Sequence, residues 1–225
     1  MIPYFKHALT ASTLVATMAA GLFAGVAQAQ PSASAIDEVQ VTTSATDDYL
    51  AGQYQFKYIR QNQGQKTRRV DCGPASILMA LLDNGGQIPD SYKERNQAAA
   101  MTELRGEAPS GTSGGLHDFD IVSILENRGV SGTVLDRGEA IKAIDKLKEG
   151  KKAVVLTRSN LMRGREADGA FGHFVYVSGY DSGSNTFTVN DPQDMDQQPY
   201  QVTEDKMRTI LTSPAKGNSE WVYVI

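Results

Sequence analysis

The amino-acid sequence predicts an α+β domain in which helices come first and antiparallel strands come last. Apolar residues recur at helical spacing through much of 72–148, whereas strand patterns occupy 174–180, 186–190 and 221–225. A short polar segment at 181–185 separates the first two of these strands and predicts a β-hairpin. Such segregation of helices and strands is typical of an α+β fold in which a helical layer packs against a sheet.

Composition favours one globular domain and excludes two classes of function. The chain has 225 residues, of which 40% are hydrophobic and 21% are charged, enough for a sizeable core. A net charge of −4 at pH 7 provides no electrostatic surface for nucleic acid, so we expect no nucleic-acid partner. With one cysteine and three histidines in the chain, we also expect no metal site and no cofactor.

The first 29 residues have the pattern of a cleaved secretory signal peptide. Residues 1–7 carry Lys6, 8–26 form a small and apolar run, and 27–29 read Ala-Gln-Ala, which predicts cleavage between Ala29 and Gln30. A membrane-spanning helix is the alternative, but Ala, Gly and Thr dominate the run and a small-residue cleavage site follows it. We therefore expect an exported protein, periplasmic or secreted, with no membrane anchor after cleavage.

The segment after the signal divides into a leader and the start of the domain. Residues 30–48 are rich in Ser, Thr and Ala, which predicts a flexible leader, and the domain is predicted over 49–225. Aromatic and polar residues alternate over 49–60, which indicates a strand or extended arm, and 61–69 form a polar, basic loop.

The next stretch predicts a buried helix that begins at the cysteine. Asp71 is suited to cap free amides, and Pro74 is suited to a first helical turn. Residues 77–82 are all apolar, so this helix should be packed on all sides, and the glycines at 85–86 should end it. A helix amino terminus favours a thiolate, although a lone Cys72 would by default be a packed core residue. In an exported protein, a cysteine without an intrachain partner calls for a functional explanation.

The middle of the chain predicts alternating helices, strands and two long loops. In order, these are a surface helix at 89–104 capped by Asp90 or Ser91, a glycine-rich loop at 106–115, a packed helix at 118–128 ended by Gly129, a strand at 130–135, an amphipathic helix at 138–148, a doubly buried strand at 153–157 and a polar loop at 158–172. Loops as long as the last one often line or gate a cleft. The glycine-rich loop lacks the spacing of a phosphate-binding loop.

The predicted carboxyl-terminal hairpin supplies partners for the cysteine. His173 opens the first strand, directly after the long loop, and Asp191 follows the second. Strand parity places His173 with Val175, and Asp191 with Val189, so both polar residues should lie on the side of the buried helix if these apolar faces point to it. A register shifted by one residue would present Asn190 instead, and a simple turn is the other interpretation of Asn-Asp-Pro. The combination predicts a Cys–His–Asp triad, whereas His117 suits an ordinary surface position.

These motifs resemble the papain-like cysteine peptidases. The sequences DCGPAS (71–76), GHFVYVSGYD (172–181) and TFTVNDP (186–192) are similar to those of stand-alone relatives of the double-glycine leader peptidases, which process bacteriocin precursors. The resemblance covers about residue 54 to the carboxyl terminus. It implies a papain-like fold with Cys72 as nucleophile, His173 as acid and base, and Asp191 as the orienting group.

The resemblance also implies a glutamine that donates a hydrogen bond to the oxyanion. Gln61 ends an aromatic-x-x-Gln sequence at 58–61 and is the expected donor, whereas Gln65 lies nearer to the spacing in papain. The expected activity is hydrolysis of a peptide or isopeptide bond through a thioester, with a peptide or protein as substrate. The alternatives are acyl transfer, as in phytochelatin-synthase-like enzymes, and an inactive exported binding module.

Overall fold

The computed structural model describes residues 56–165 and 170–225. The predicted signal peptide at 1–29, the predicted leader at 30–48 and the first part of the predicted arm lie outside the described residues. The boundaries of the domain at 49–225 therefore stay a prediction.

The described residues form helices and a sheet of six strands. The helices are α1 (Cys72–Asn84), α2 (Asp90–Lys93), α3 (Gln97–Gly106), α4 (Asp118–Asn127), α5 (Ala143–Lys148) and α6 (Glu204–Thr212), with short 3-10 turns at Ala140–Lys142 and Ser159–Leu161. The strands are β1 (Thr133–Asp136), β2 (Ala153–Arg158), β3 (Gly172–Asp181), β4 (Thr186–Asn190), β5 (Tyr200–Thr203) and β6 (Trp221–Val224). The strand order is β1-β6-β2-β3-β4-β5, and every neighbouring pair is antiparallel. This architecture confirms the predicted α+β class.

Each face of the sheet buries its own apolar core. Val154 and Tyr176 pack with α1, α3 and α4 on one face. Val155 and Val175 pack with α5 and α6 on the other face. Successive residues of β2 thus enter different cores, which confirms that this strand is buried on both sides.

Helix α1 follows the predicted boundaries. It begins at Cys72, its residues from Gly73 to Leu82 are buried, and Gly85 ends it in the left-handed conformation with φ 68°. The Gly85 amide donates to the Leu81 carbonyl, as expected for a glycine that ends a helix. The predicted side-chain cap is wrong, because Asp71 precedes the helix without bonding to its amides.

The predicted surface helix at 89–104 is instead two helices. Arg95 takes a φ of 64°, which interrupts the helix, and the Asn96 side chain then caps α3 by accepting from the Ala99 amide at 2.9 Å. Ser91 does not act as a cap, since its hydroxyl donates to Glu103. The face of α3 that carries Arg105 is buried, so its charges are not all solvated.

Other differences affect the short elements. Residues 56–60 form no strand, the strand predicted at 130–135 begins only at Thr133, and the helix predicted at 138–148 is a 3-10 turn followed by α5. Strand β5 and helix α6 were not predicted, because polar residues dominate this part of the sequence. Thr203, whose hydroxyl accepts from the Lys206 amide, caps α6.

Candidate active site

Three separate segments bring Cys72, His173 and Asp191 together. Cys72 is the first residue of α1, His173 is the second residue of β3, and Asp191 follows β4 directly. The distance from His173 Nε2 to Asp191 Oδ1 is 2.6 Å, and both side chains are fully buried. Cys72 is partly exposed and lines the cleft described below.

The other ring nitrogen of His173 is not engaged by the carboxylate, and His173 lines the same cleft as Cys72. Nδ1 is buried without a hydrogen-bond partner among the described residues, and the nearby Cys72 thiol helps to raise the pKa of the ring. One ring nitrogen is thus held by a carboxylate while the other is available to the thiol. This is the arrangement in which a histidine can take a proton from sulfur and later return it.

The charges of the three groups shift the pKa values of the cysteine and the histidine in opposite directions. Burial raises the pKa of Cys72, but the hydrogen bond and the charge of His173 lower it by more, helped by the Phe174 and Gly73 amides. Burial lowers the pKa of His173, but the Asp191 carboxylate and the thiol outweigh burial and raise it to about 10. Shifts in these directions favour a thiolate and an imidazolium over two neutral groups.

Strand parity correctly predicted that Asp191 contacts His173, but it did not predict which face of the sheet their apolar neighbours occupy. Asp191 contacts His173 as the shared parity requires. Val175 and Val189 nevertheless pack against α5 and α6, on the face opposite α1. His173 therefore lies near Cys72 because it is at the amino-terminal end of β3. It does not belong to an apolar face that points to α1. Asn190 points elsewhere, because its amide donates to the Tyr176 carbonyl at 3.1 Å.

The turn that carries Asp191 is fixed by hydrogen bonds from several segments. The Gln193 amide donates to Asp191 Oδ1 at 2.9 Å, so this oxygen has a second donor besides His173. The Tyr58 hydroxyl donates to the Asp191 carbonyl at 2.6 Å, and the Gln61 amide donates to the Pro192 carbonyl at 2.9 Å. The arm before the cysteine thus supports the carboxylate without forming a strand.

Both candidate oxyanion glutamines are engaged within the protein. The Gln61 side chain is buried and donates to the Arg68 carbonyl at 2.8 Å. Gln65 donates to the Gln61 carbonyl at 2.6 Å and to Asp71 at 2.7 Å. Neither side chain lines the cleft described below, so the oxyanion role of Gln61 stays a prediction.

A cleft of about 360 Å³ opens over Cys72 and His173. Its walls come from segments 69–70, 115–118, 171–174 and 217–219, together with Leu156 and Gln193. Both long loops of the sequence therefore contribute to it, as predicted for 158–172. His117 is exposed but also lines the cleft, where its ring stacks on Phe119 with centroids 5.4 Å apart.

A buried ion pair next to Cys72 was not predicted. Asp71 accepts from Arg105 through both Nε and Nη2, and its second oxygen accepts from Gln65 and Thr67 at 2.7 Å each. Arg105 also donates to the Val70 carbonyl, so it fixes the backbone just before the cysteine. The sequence does contain a signal, because Arg105 lies four residues after Met101 on the apolar side of α3.

Within 56–165 and 170–225, no cluster of three or more His, Cys, Asp or Glu residues is arranged to hold a metal ion. In the same ranges, no helix combines the length and the hydrophobicity that a membrane crossing requires.

A helix that carries a cysteine, packed on an antiparallel sheet that carries a histidine and an aspartate, defines the papain-like class of fold. The model of the Peptidase_C39 like family matches residues 53–213, and the chain belongs to this family. This match confirms the resemblance that the motifs indicate.

The solved structures that are similar to this chain include the following two. A putative C39-like peptidase from Bacillus anthracis has 15% sequence identity and a TM-score of 0.50, and the match covers 78% of this chain and 96% of that one. The peptidase domain of Streptococcus ComA, a bifunctional ABC transporter involved in quorum sensing, has 14% identity and a TM-score of 0.44 over 76% of this chain and 97% of that one. At 15% identity the likeness to the Bacillus anthracis protein concerns the fold alone. A search of curated proteins finds no match to this sequence.

Proposed function

We propose that this protein is a cysteine peptidase in which Cys72 is the nucleophile, His173 the acid and base, and Asp191 the orienting group. The observation that carries the proposal is that Cys72 and His173 line one cleft while Asp191 holds Nε2 of His173 at 2.6 Å, which leaves the other ring nitrogen free for the thiol. Membership of a peptidase-like family supports the same chemistry.

In the first half of the reaction, the Cys72 thiolate attacks the carbonyl carbon of a peptide or isopeptide bond. A carbon–sulfur bond forms, and the carbonyl oxygen takes the negative charge. The His173 imidazolium then donates its proton to the leaving nitrogen as the carbon–nitrogen bond breaks, which releases the amine and leaves a thioester. Asp191 keeps the ring in the orientation that serves both transfers.

In the second half, water resolves the thioester. Neutral His173 takes a proton from the water as its oxygen attacks the carbonyl carbon, and the carbon–sulfur bond breaks to return the thiolate. The products are the free acid and the original thiolate–imidazolium pair. Acyl transfer differs only in that an amine replaces water as the attacking group.

The oxyanion needs donors at the amino terminus of α1. The Cys72 amide belongs to the first helical turn, where amides have no partner within the helix. Gln61 is the proposed second donor, and its Nε2 would exchange the Arg68 carbonyl for the oxyanion. Its Oε1 is buried without a partner, so this carboxamide is not fully satisfied in the free protein.

The first test is the pH dependence of iodoacetamide labelling. The chain contains one cysteine, so every label reports on Cys72, and Cys72→Ala gives the background. We expect labelling well below the pH at which a free thiol ionises, because the pKa of Cys72 is lowered, and we expect loss of this labelling in His173→Ala. Equally slow labelling of both proteins would contradict the proposal and favour an inactive binding module.

The second test identifies the reaction and the location. Full-length protein expressed in a bacterial host with its own amino terminus should be recovered in the exported fraction with Gln30 as its first residue.

That protein is then incubated with peptide mixtures, with and without an added amine. Free carboxyl products support hydrolysis, whereas amide products formed at the expense of acid support acyl transfer.

A further inference from the structure

The loop between β2 and β3 is closed at its base, next to His173. The Ser159 amide donates to the Phe171 carbonyl at 3.0 Å, and the Phe171 amide donates to the Ser159 hydroxyl at 3.4 Å. The Phe171 ring stands edge-on to His173, with ring centroids 6.5 Å apart. The position of this loop is therefore tied directly to the position of the histidine ring.

Arg163, in the same loop, contacts the segment that follows Asp191. Its Nε lies 3.0 Å from Asp194 Oδ2, and its Nη2 donates to the Gln198 carbonyl at 3.2 Å. The guanidinium also lies 4.4 Å from the centre of the Tyr200 ring, and the Arg163 amide donates to the Tyr200 hydroxyl at 3.2 Å. Arginine can satisfy several such partners at once because its planar group carries five donors.

Asp194 connects this cation to the candidate triad. The Asp194 amide donates to the Asp191 carbonyl at 3.0 Å, which closes the turn that begins at Asp191. The Asp194 side chain is fully buried, with Oδ1 accepting from the Asp196 amide at 2.6 Å and Oδ2 facing Arg163. A carboxylate buried in this way needs a positive partner, because an uncompensated buried charge is strongly unfavourable.

We propose that Arg163 and Asp194 are positioning residues for the triad. Their ion pair holds the turn that begins at Asp191 against the loop that precedes β3 and His173. It thereby sets the distance between the Asp191 carboxylate and His173 Nε2. This proposal rests on the proposed function, since it assumes that Asp191 orients His173 for reaction. Neither residue lines the cleft, so neither is expected to contact the substrate.

The experiment compares two variants of the pair with a control of matched chemistry. Asp194→Asn removes the buried charge at nearly constant volume, and Arg163→Gln removes the cation, its fork of donors and the stacking on Tyr200. Arg208→Gln is the control, because it breaks an arginine–carboxylate pair with Glu204 on the exposed side of α6. Each protein is tested for iodoacetamide labelling of Cys72 across pH, for thermal unfolding, and for the downfield proton resonance of the His173–Asp191 hydrogen bond.

In both pair variants, we expect the labelling rate below pH 7 to fall about tenfold and the downfield resonance to weaken, since small displacements of reacting groups cost factors of this size. The control should behave like the wild-type protein. A purely structural role would lower the unfolding temperature without moving the pH profile or the resonance. Arg163→Gln decides the matter alone if Asp194→Asn does not fold.

The outcomes separate this proposal from the one on which it rests. Wild-type labelling at low pH together with unchanged profiles in folded pair variants would overturn the role of Arg163 and Asp194 and leave the peptidase proposal intact. Absence of low-pH labelling in the wild-type protein would overturn the proposed thiolate–imidazolium pair itself, and with it this inference.

Discussion

The two sides of the candidate active site are built from different kinds of structure. The cysteine side is one regular helix, α1, whose residues from Gly73 to Leu82 are buried in an apolar core. The histidine side consists of the start of a strand and a turn, and hydrogen bonds and ion pairs hold it. Apolar burial is non-directional, whereas hydrogen bonds fix distances and angles. Substitutions around Cys72 should therefore lower mainly stability, and substitutions around His173 should lower mainly reactivity.

The largest effect is expected where the two sides meet, at the sulfur. Cys72→Ala should reduce peptide turnover about 10⁴-fold or more, because removal of a nucleophile leaves only binding and oxyanion stabilisation. Stability should hardly change, since Cys72 is partly exposed and alanine is a good helix former. Turnover and thermal unfolding measured on one preparation check both statements. Activity in the wild-type range would remove Cys72 from the mechanism.

Asp191→Asn tests the histidine side and should reduce turnover about 10⁴-fold, as expected when an orienting carboxylate loses its charge. Asp191 raises the pKa of His173, so its removal lowers that pKa, weakens the imidazolium and raises the pKa of Cys72. The midpoint of iodoacetamide labelling should therefore move to higher pH.

The neighbouring residue provides the control for this experiment. Asn190→Ala removes hydrogen bonds to the Tyr176 carbonyl and the Ser178 hydroxyl, and neither bond involves His173. This variant should lose stability and keep the wild-type labelling midpoint. A shifted midpoint in Asn190→Ala, or an unshifted one in Asp191→Asn, would mean that the carboxylate does not set the charge of the histidine.

Arg105→Met tests whether polar groups on the cysteine side act through stability. It leaves the Asp71 carboxylate buried without its cation, which should cost about 3 kcal/mol in the free energy of unfolding. Denaturant unfolding measures this cost, and the exposed pair broken by Arg208→Gln should cost less than about 0.5 kcal/mol. The labelling midpoint of folded Arg105→Met should stay close to the wild-type value. A shifted midpoint at unchanged stability would assign Arg105 to the reactive machinery instead.

The same division explains what could be predicted from the sequence. The boundaries of α1 could be predicted from local signals. These are a proline in the first turn, the apolar run at 77–82 and the glycine pair at 85–86. The hairpin and its pairing of His173 with Asp191 followed from period-2 alternation and a short polar turn. Both kinds of signal act over a few residues.

The parts that escaped prediction depend on contacts between distant segments. Strand parity cannot reveal which face of β3 packs on α1, because both faces of the sheet are covered by helices. Arg105 and Asp71 are 34 positions apart in sequence, and Arg163 and Asp194 are 31 apart, so no local pattern shows that the two members of either pair meet. The break at Arg95 depends on a single backbone conformation that an arginine rarely adopts.

The smallest expected effect concerns how closely the cleft wall approaches α1. A Cβ on Gly73 would lie 3.0 Å from Leu116 Cβ and 3.3 Å from Ile121 Cδ1, so Gly73→Ala should push the 115–118 wall outwards at a cost of about 1–2 kcal/mol. Gly106→Ala is the matched control, since a Cβ there meets no atom within 4 Å, and a helical position favours alanine by about 0.5–1 kcal/mol. Unfolding measurements on the two variants should therefore differ in sign. If Gly73→Ala were as stable as Gly106→Ala, the 115–118 wall would move aside at little cost in free energy. Apolar packing would then fix the cysteine side less firmly than hydrogen bonds fix the histidine side.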